Sequence, residues 1–369
     1  MIKVDLITMS GTKNYGSALQ TYATQEFFKK AGLYVTVINY VRPDSLYCNL
    51  LNTWCGKNIV KRIVMFPTIM KWKKIFTKFY CNVNFSESIY SEESDFNNYY
   101  SDANMFCTGS DQVWNSVWNL GVIKPMYLNF IKDSDFRFAF GASFGQSIIS
   151  DDEVYKTKNL INKYNMISVR EDEAVKVLTD QYHYNKVCHI IDPTLCLDGN
   201  FWREKCCKKK LKKKNYILIY NLNKSKDFDN YVKKLSQLTG LKVYRLCTRY
   251  DQMIRYGKPI LVPDVIDFVN LIDNARYVVT DSFHATAFSM NLNTEPICIY
   301  PEEFGGRLKS FLKLVKCEHR HIQNYEDYEV LDRKVDFVSV NNILENERKK
   351  AFAFLEEVIN TYKEGDYNG

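Results

Sequence analysis

Short apolar runs alternate with polar loops from the first residues of the chain. Val4 to Met9 reads as a strand, SGTKNYG as a loop, and Ser17 to Ala31 as a helix with Leu19, Tyr22, Ala23 and Phe27 at helical spacing. Gly32 stops that helix and a strand resumes at Tyr34, which makes a βαβ unit whose right-handed crossover implies a parallel sheet. Strand-like segments follow at Asn104–Thr108, Phe136–Ser143, Met166–Arg170 and Val187–Asp192. A second series has strands at Tyr216–Asn221, Leu241–Cys247, Tyr277–Thr280 and Pro296–Tyr300, with helices at Asp227–Thr239 and Val265–Ala275. The last pattern, from about Asn342 to Tyr362, is a long amphipathic helix with Ile343, Phe352, Leu355 and Ile359 on its apolar side.

Both halves are therefore α/β, and 369 residues exceed what one hydrophobic core usually serves. The expected organisation is two domains, 1–210 and 211–340, with the segment 341–369 crossing back onto the first. A composition of 46% hydrophobic and 25% charged residues is ordinary for a globular chain. The net charge of +7 falls short of the dense basic footprint of a dedicated nucleic-acid binder, and no nucleic-acid partner is expected. Eleven cysteines without a CxxC pair signal neither a zinc site nor a disulfide framework, which fits reduced thiols in a cytosol. MIKVDLITMS reads as a first strand rather than a signal peptide, and no apolar stretch approaches the ~18 residues of a membrane span.

Two basic stretches stand out. The run 208–214 holds six lysines in seven residues and reads as a solvated connector between domains. From 51 to 80 there are seven Lys/Arg and no Asp/Glu, interleaved with Ile63, Phe66, Trp72, Ile75, Phe76 and Phe79. Such a segment can lie on an anionic membrane surface at the inner face of the cell membrane, or pack as a half-buried helix on its own domain.

In parallel α/β sheets, ligands gather beyond the carboxyl ends of the strands, where helix N-termini present unpaired N–H groups. Four segments put polar residues there: KNYGSALQ (13–20), TGSDQVWN (108–115), SVREDEAVKVL (168–178) and TDSFHATAF (280–288). In the last, Asp281 or Ser282 can cap a helix whose first turn holds His284, suited to a phosphate or carboxylate. Arg170 sits where a strand turns into a helix, either aimed at an anionic ligand or paired with Glu171 or Glu173. Neither GxGxxG nor GxxxxGK[ST] is present, although Gly16 allows close backbone approach to a ligand.

NYGSALQTYA, CTGSDQVWN, FGASFG, ISVREDEAVKVL, DPTLCL and TDSFHATAFSM, in this order, resemble the polysaccharide pyruvyl transferase family; GGRLKSFLKL resembles a late family segment. The resemblance implies two Rossmann-like domains with parallel sheets facing an interdomain cleft, as in GT-B glycosyltransferases. It also implies a bacterial transferase of exopolysaccharide or capsule biosynthesis that moves a pyruvyl group from phosphoenolpyruvate to a sugar of a cell-surface polysaccharide or its lipid-linked precursor; these steps demand no metal, and no cofactor is expected. Arg170 and His284 match family positions implicated in binding the donor. Where some relatives have Arg-Leu-His, this chain has Ser282-Phe283-His284, and Arg307 is the candidate replacement cation.

The chemistry needs a proton for C3 of the donor, a base for the sugar hydroxyls and charge stabilisation for phosphate. His284 is the candidate acid or phosphate ligand. Asp111 and Asp192 are candidate bases, with capping or turn roles as the alternative. Asn14, Tyr15, Gly16, Ser110, Gln112 and Trp114 complete the expected substrate contacts; Tyr15 and Trp114 can stack on a sugar or simply fill a core. The rivals are a nucleotide-sugar glycosyltransferase of the same architecture and a non-catalytic sugar-binding member of a polysaccharide assembly complex.

Overall fold

The two series of strands form two separate parallel sheets in the structure, a computed structural model that describes residues 1–206, 214–223, 226–300 and 305–365. The first sheet contains β1 (Lys3–Ile7), β2 (Tyr34–Tyr40), β3 (Phe85–Tyr90), β4 (Met105–Thr108), β5 (Arg137–Ala142), β6 (Met166–Val169) and β7 (Val187–His189). Its order is β3-β2-β1-β4-β5-β6-β7. The second contains β8 (Tyr216–Tyr220), β9 (Lys242–Cys247), β10 (Lys258–Leu261), β11 (Tyr277–Thr280) and β12 (Glu295–Cys298), ordered β10-β9-β8-β11-β12. Every strand pairing in both sheets is parallel, as the βαβ connections require. β3 and β10 lie beyond what the hydropathy pattern predicts: both are edge strands, one with three exposed positions in succession and the other only four residues long with Pro259 inside it.

Each sheet builds its own core. In the first, Ile7, Ala139, Ile167 and Val169 pack with Trp114, Tyr127, Phe144 and Tyr182; in the second, Ile217, Ile219, Val279 and Ile297 pack with Phe228, Tyr231 and Leu235. The chain divides into one unit of Met1–Leu46, Tyr80–Leu197 and Asn346–Gly369 and another of Tyr47–Phe79 and Asp198–Glu345. This differs from the expected 1–210 and 211–340. The lysine run 208–213 and the boundary at 210/211 fall outside the described residues.

The segment 47–79, expected in the N-terminal domain, groups with the second unit. Its helix Ile59–Tyr80 buries Met65, Ile69, Trp72 and Phe76, and the Trp72 indole donates to the Thr248 carbonyl at 2.9 Å. Lys71 reaches the Leu261 carbonyl at 2.5 Å, and the Tyr250 amide donates to Thr68 at 3.3 Å. The C-terminal helix Phe337–Glu364 joins the first unit from Asn346. Its most buried side is Leu344, Ala351, Leu355 and Val358, whereas Ile343, Phe352 and Ile359 lie at its half-buried edges.

Candidate functional site

In the first unit, polar residues that follow four different strands meet beyond the carboxyl ends of the sheet. Asp111 follows β4, Arg170 and Glu171 follow β6, and Asp192 follows β7; Ser17 lies in the first turn of the helix after β1. The Arg170 side chain is fully buried: Nη2 donates to Asp111 Oδ1 at 3.0 Å, Nη1 to Asp192 Oδ2 at 2.5 Å, and Nε to Glu171 Oε1 at 3.3 Å. Burial alone would loosen the guanidinium proton, but Asp111, Asp192 and Glu171 together hold it more tightly than in water.

Of the two readings of Arg170, these contacts match the ion pair with Glu171. The guanidinium faces carboxylates of its own unit rather than lying open to an anionic donor. Arg170 is thus the centre of a buried ion cluster that includes Asp111.

Asp111 has a backbone φ of 74°, rare for a residue with a side chain, and its other oxygen accepts from Ser17 Oγ at 2.6 Å. The Ser17–Asp111 bond joins the ends of β1 and β4, the pair at which strand order reverses and where α/β sheets bind ligands. Gly109 lets this turn lie hard on the first strand, since a Cβ there would sit 2.8 Å from Leu6 Cδ1 and 2.9 Å from Thr8 Cβ. Gly145 of FGASFG, at φ +63°, sits against Asn115 and Gln112 with no room for a Cβ.

Asp192 is more enclosed than Asp111. Its Oδ1 caps the short helix Pro193–Cys196 by accepting from the Thr194 amide at 2.9 Å and hydroxyl at 2.7 Å, while Oδ2 faces Arg170 and, at 3.4 Å, Ser110. The Asp192 side chain is 0% exposed and caps a helix, whereas that of Asp111 is 10% exposed.

Two expected sugar platforms are instead core. Trp114 is 1% exposed, donates its indole N–H to the Met126 carbonyl at 3.0 Å and stacks on Tyr127; Tyr15 is 1% exposed. An aromatic on a strand-to-helix loop has no sequence mark telling a ligand face from a core face. Asn14 caps the helix Tyr15–Lys30 through the Gly16 amide at 2.8 Å, and Gly16 is buried in its first turn. Ser110 and Gln112 are also buried, the latter accepting from Asn115 Nδ2.

Sequence reasoning passed over Ser17, Ser143 and Lys13. Ser143 donates to Glu171 Oε1 at 2.8 Å. Lys13, beside the Asn14 cap, donates to the Gly11 carbonyl at 2.6 Å, and burial lowers its ammonium to about 8. All three are polar residues just past a strand end or in the first turn of the following helix, which is the signal that finds them.

The second unit repeats the arrangement at its own reversal, between β8 and β11. The Asp281 carboxylate accepts from the amides of Leu222 at 2.8 Å and Asn223 at 2.9 Å, and from the side-chain amides of Asn221 and Asn223, each at 3.0 Å. Burial raises its pKa, against the pull of these donors. Ser282, not Asp281, caps the helix Phe283–Asn291, accepting from the Ala285 amide at 3.4 Å.

His284 is 8% exposed in the first turn of that helix. Its ring stands edge-on to Phe283 at 5.2 Å between centroids, and the Arg307 guanidinium carbon lies 5.9 Å from the centroid of the same Phe283 ring. Ser282 and His284 thus open one helix N-terminus, which favours negative charge, and Arg307 lies near Phe283 of its first turn. Among the described residues no group of three or more His, Cys, Asp or Glu is arranged to hold a metal ion.

The structure is similar to UDP-N-acetylglucosamine 2-epimerase from Neisseria meningitidis, solved with UDP-GlcNAc, at TM-score 0.54, 9% identity, and 98% and 100% coverage of the two chains. It is also similar to a putative epimerase of that kind from Listeria monocytogenes (TM-score 0.52, 9% identity, 94% and 90% coverage) and to one from Rickettsia bellii (0.51, 14%, 98% and 97%). At these identities the likeness establishes a GT-B-like α/β fold and nothing finer. No match to a curated protein sequence was found. The family model for polysaccharide pyruvyl transferase matches residues 14–303, which takes in the strands β2 to β12, the Asp111–Arg170 cluster and the His284 helix. The chain belongs to the polysaccharide pyruvyl transferase family.

Proposed function

We propose that the protein transfers the pyruvyl group of phosphoenolpyruvate to two hydroxyls of a sugar in a cell-surface polysaccharide or its precursor. One hydroxyl adds across the C2=C3 bond of the donor, its oxygen to C2 and a proton to C3. The second displaces phosphate from C2, its proton leaving with the phosphate, and a cyclic ketal results. The observation that carries the donor assignment is the Ser282-capped helix N-terminus of the second unit, with His284 in its first turn and Arg307 near Phe283. Those groups suit a ligand with a phosphate and a carboxylate.

Asp111 is the proposed acceptor-side base. Ser17 and Arg170 orient its carboxylate, and its remaining exposure leaves an edge for a sugar hydroxyl. His284 serves as phosphate ligand or as the acid for C3.

The experiment is calorimetric titration of phosphoenolpyruvate into wild type, His284→Ala and Arg307→Ala, paired with phosphate release over a panel of nucleotide-linked and lipid-linked sugars. Each variant is expected to lose about 2–4 kcal/mol of donor binding or transition-state stabilisation, roughly 30- to 1000-fold. Loss of affinity marks an anion ligand, and loss of turnover at saturating donor marks proton transfer. If the wild type binds no phosphoenolpyruvate but releases UDP from UDP-sugars, the nucleotide-sugar reading replaces this one.

A further inference from the structure

Helix Ile59–Tyr80 carries two apolar stripes with the same i, i+4, i+7, i+11 spacing. Met65, Ile69, Trp72 and Phe76 form one and are buried. Ile59, Ile63, Phe66 and Met70 form the other, at 72%, 68%, 52% and 50% exposure. The second stripe is offset from the first by six residues, about 120° around the helix. The aromatic residues that suggest a membrane segment from composition, Trp72, Phe76 and Phe79, are therefore buried, and the Trp72 indole is held by the Thr248 carbonyl. The face left to solvent is an aliphatic one at the N-terminal end.

Cations flank that face: Lys73 and Lys74 are exposed one on each side of it just past Met70, where the stripe ends. No acidic residue occurs between Asp44 and Glu87. Trp54 adds a half-exposed ring packed edge-on against Trp72, the amphipathic kind of residue enriched at bilayer interfaces.

We propose that this face docks on an anionic phospholipid surface, the aliphatic stripe entering the acyl boundary and the flanking lysines meeting headgroup phosphates. A second copy of the chain is a poor occupant, because pairing through this face would bring like charges together. An anionic polymer alone would not call for an Ile-Ile-Phe-Met stripe beside the lysines. Among the described residues no helix is long and apolar enough to cross a membrane, so the contact is peripheral. The proposal is independent of the donor assignment and holds whichever sugar is modified.

The test is co-sedimentation of the full chain with phosphatidylcholine vesicles, with and without phosphatidylglycerol, and light scattering without lipid. Wild type should bind only the anionic vesicles and release in high salt. Lys73→Ala/Lys74→Ala should weaken binding roughly 25-fold, about fivefold for each lysine lost near the surface. Ile63→Asp/Phe66→Asp should abolish it, while Lys233→Ala/Lys234→Ala, the same charge change on an exposed helix surface elsewhere, should stay within about twofold of wild type. The proposal is overturned by vesicle binding that ignores phosphatidylglycerol, by equal losses in both lysine pairs, or by a wild-type dimer that Ile63→Asp/Phe66→Asp dissolves.

Discussion

Replacing Arg170 by Gln removes a guanidinium from buried contacts with Asp111, Asp192 and Glu171, at 3.0, 2.5 and 3.3 Å. Each pair is worth about 4 kcal/mol at the effective dielectric of a protein surface, and mutual repulsion of the carboxylates offsets part of the sum. Breaking such a buried cluster by removing one partner costs about 3–5 kcal/mol, because the remaining charges stay buried. For a unit of this size that corresponds to a fall in melting temperature of roughly 6–20 °C. Since the neighbours hold the guanidinium proton more tightly than in the unfolded chain, the wild-type contribution is complete below its ordinary pKa and disappears only as pH rises beyond that alkaline range. In the variant, protons can replace the missing charge, so the gap to wild type should narrow as pH falls. The assay is thermal unfolding by circular dichroism at several pH values, with phosphoenolpyruvate titration on the folded variant. Turnover should be lost with donor affinity little changed, because the proposed donor ligands are His284 and Arg307. Arg170→Lys should recover part of the stability, as a point charge cannot present three separately directed N–H donors. An Arg170→Gln protein that melts within about 1 °C of wild type would refute the ion-cluster reasoning. One that keeps its fold and turnover but loses donor affinity would restore Arg170 as a donor ligand.

Two further outcomes follow from the same sites. Burial lowers Lys13 to about 8 from an unfolded value near 10.5, so its burial opposes folding fully below pH 8 and ceases to do so above the unfolded pKa. Lys13→Met should therefore raise the melting temperature at pH 7, by a contribution on the order of 2–3 kcal/mol, with the gain vanishing near pH 10.5; thermal scans at the two pH values check it. Asp281→Ala leaves the donors of Asn221, Leu222 and Asn223 without their carboxylate and should cost about 2–4 kcal/mol, read as a lower urea midpoint; a midpoint equal to wild type would mean that these contacts do not hold the β8 and β11 ends together.

Most of the fold was legible because periodicity is a local property. Buried parallel strands such as Tyr277-Val-Val-Thr read as continuous apolar runs, and Gly32 and Gly240 mark helix ends that any chain of this pattern would need. The edge strands β3 and β10 escaped because an edge need not alternate or be long. What the sequence could determine about the site was its general location: polar residues after strands, which parallel sheets gather at one end.

Only the tertiary structure decided what each polar residue faces. Arg170 and Asp111 are 59 residues apart, and Ser17 and Asp111 are 94 apart, so nothing local distinguishes a guanidinium waiting for an anion from one held by three carboxylates. The same limit applies to Trp114 and to the helix Ile59–Tyr80. Composition shows that a segment is basic and apolar, but which of its two apolar stripes is covered depends on the surface it meets, here the Thr248 and Leu261 backbone nearly two hundred residues later. Hydrophobic burial is non-directional and assigns a helix to whatever apolar surface the whole chain presents, a choice made by the assembled fold and not by the segment.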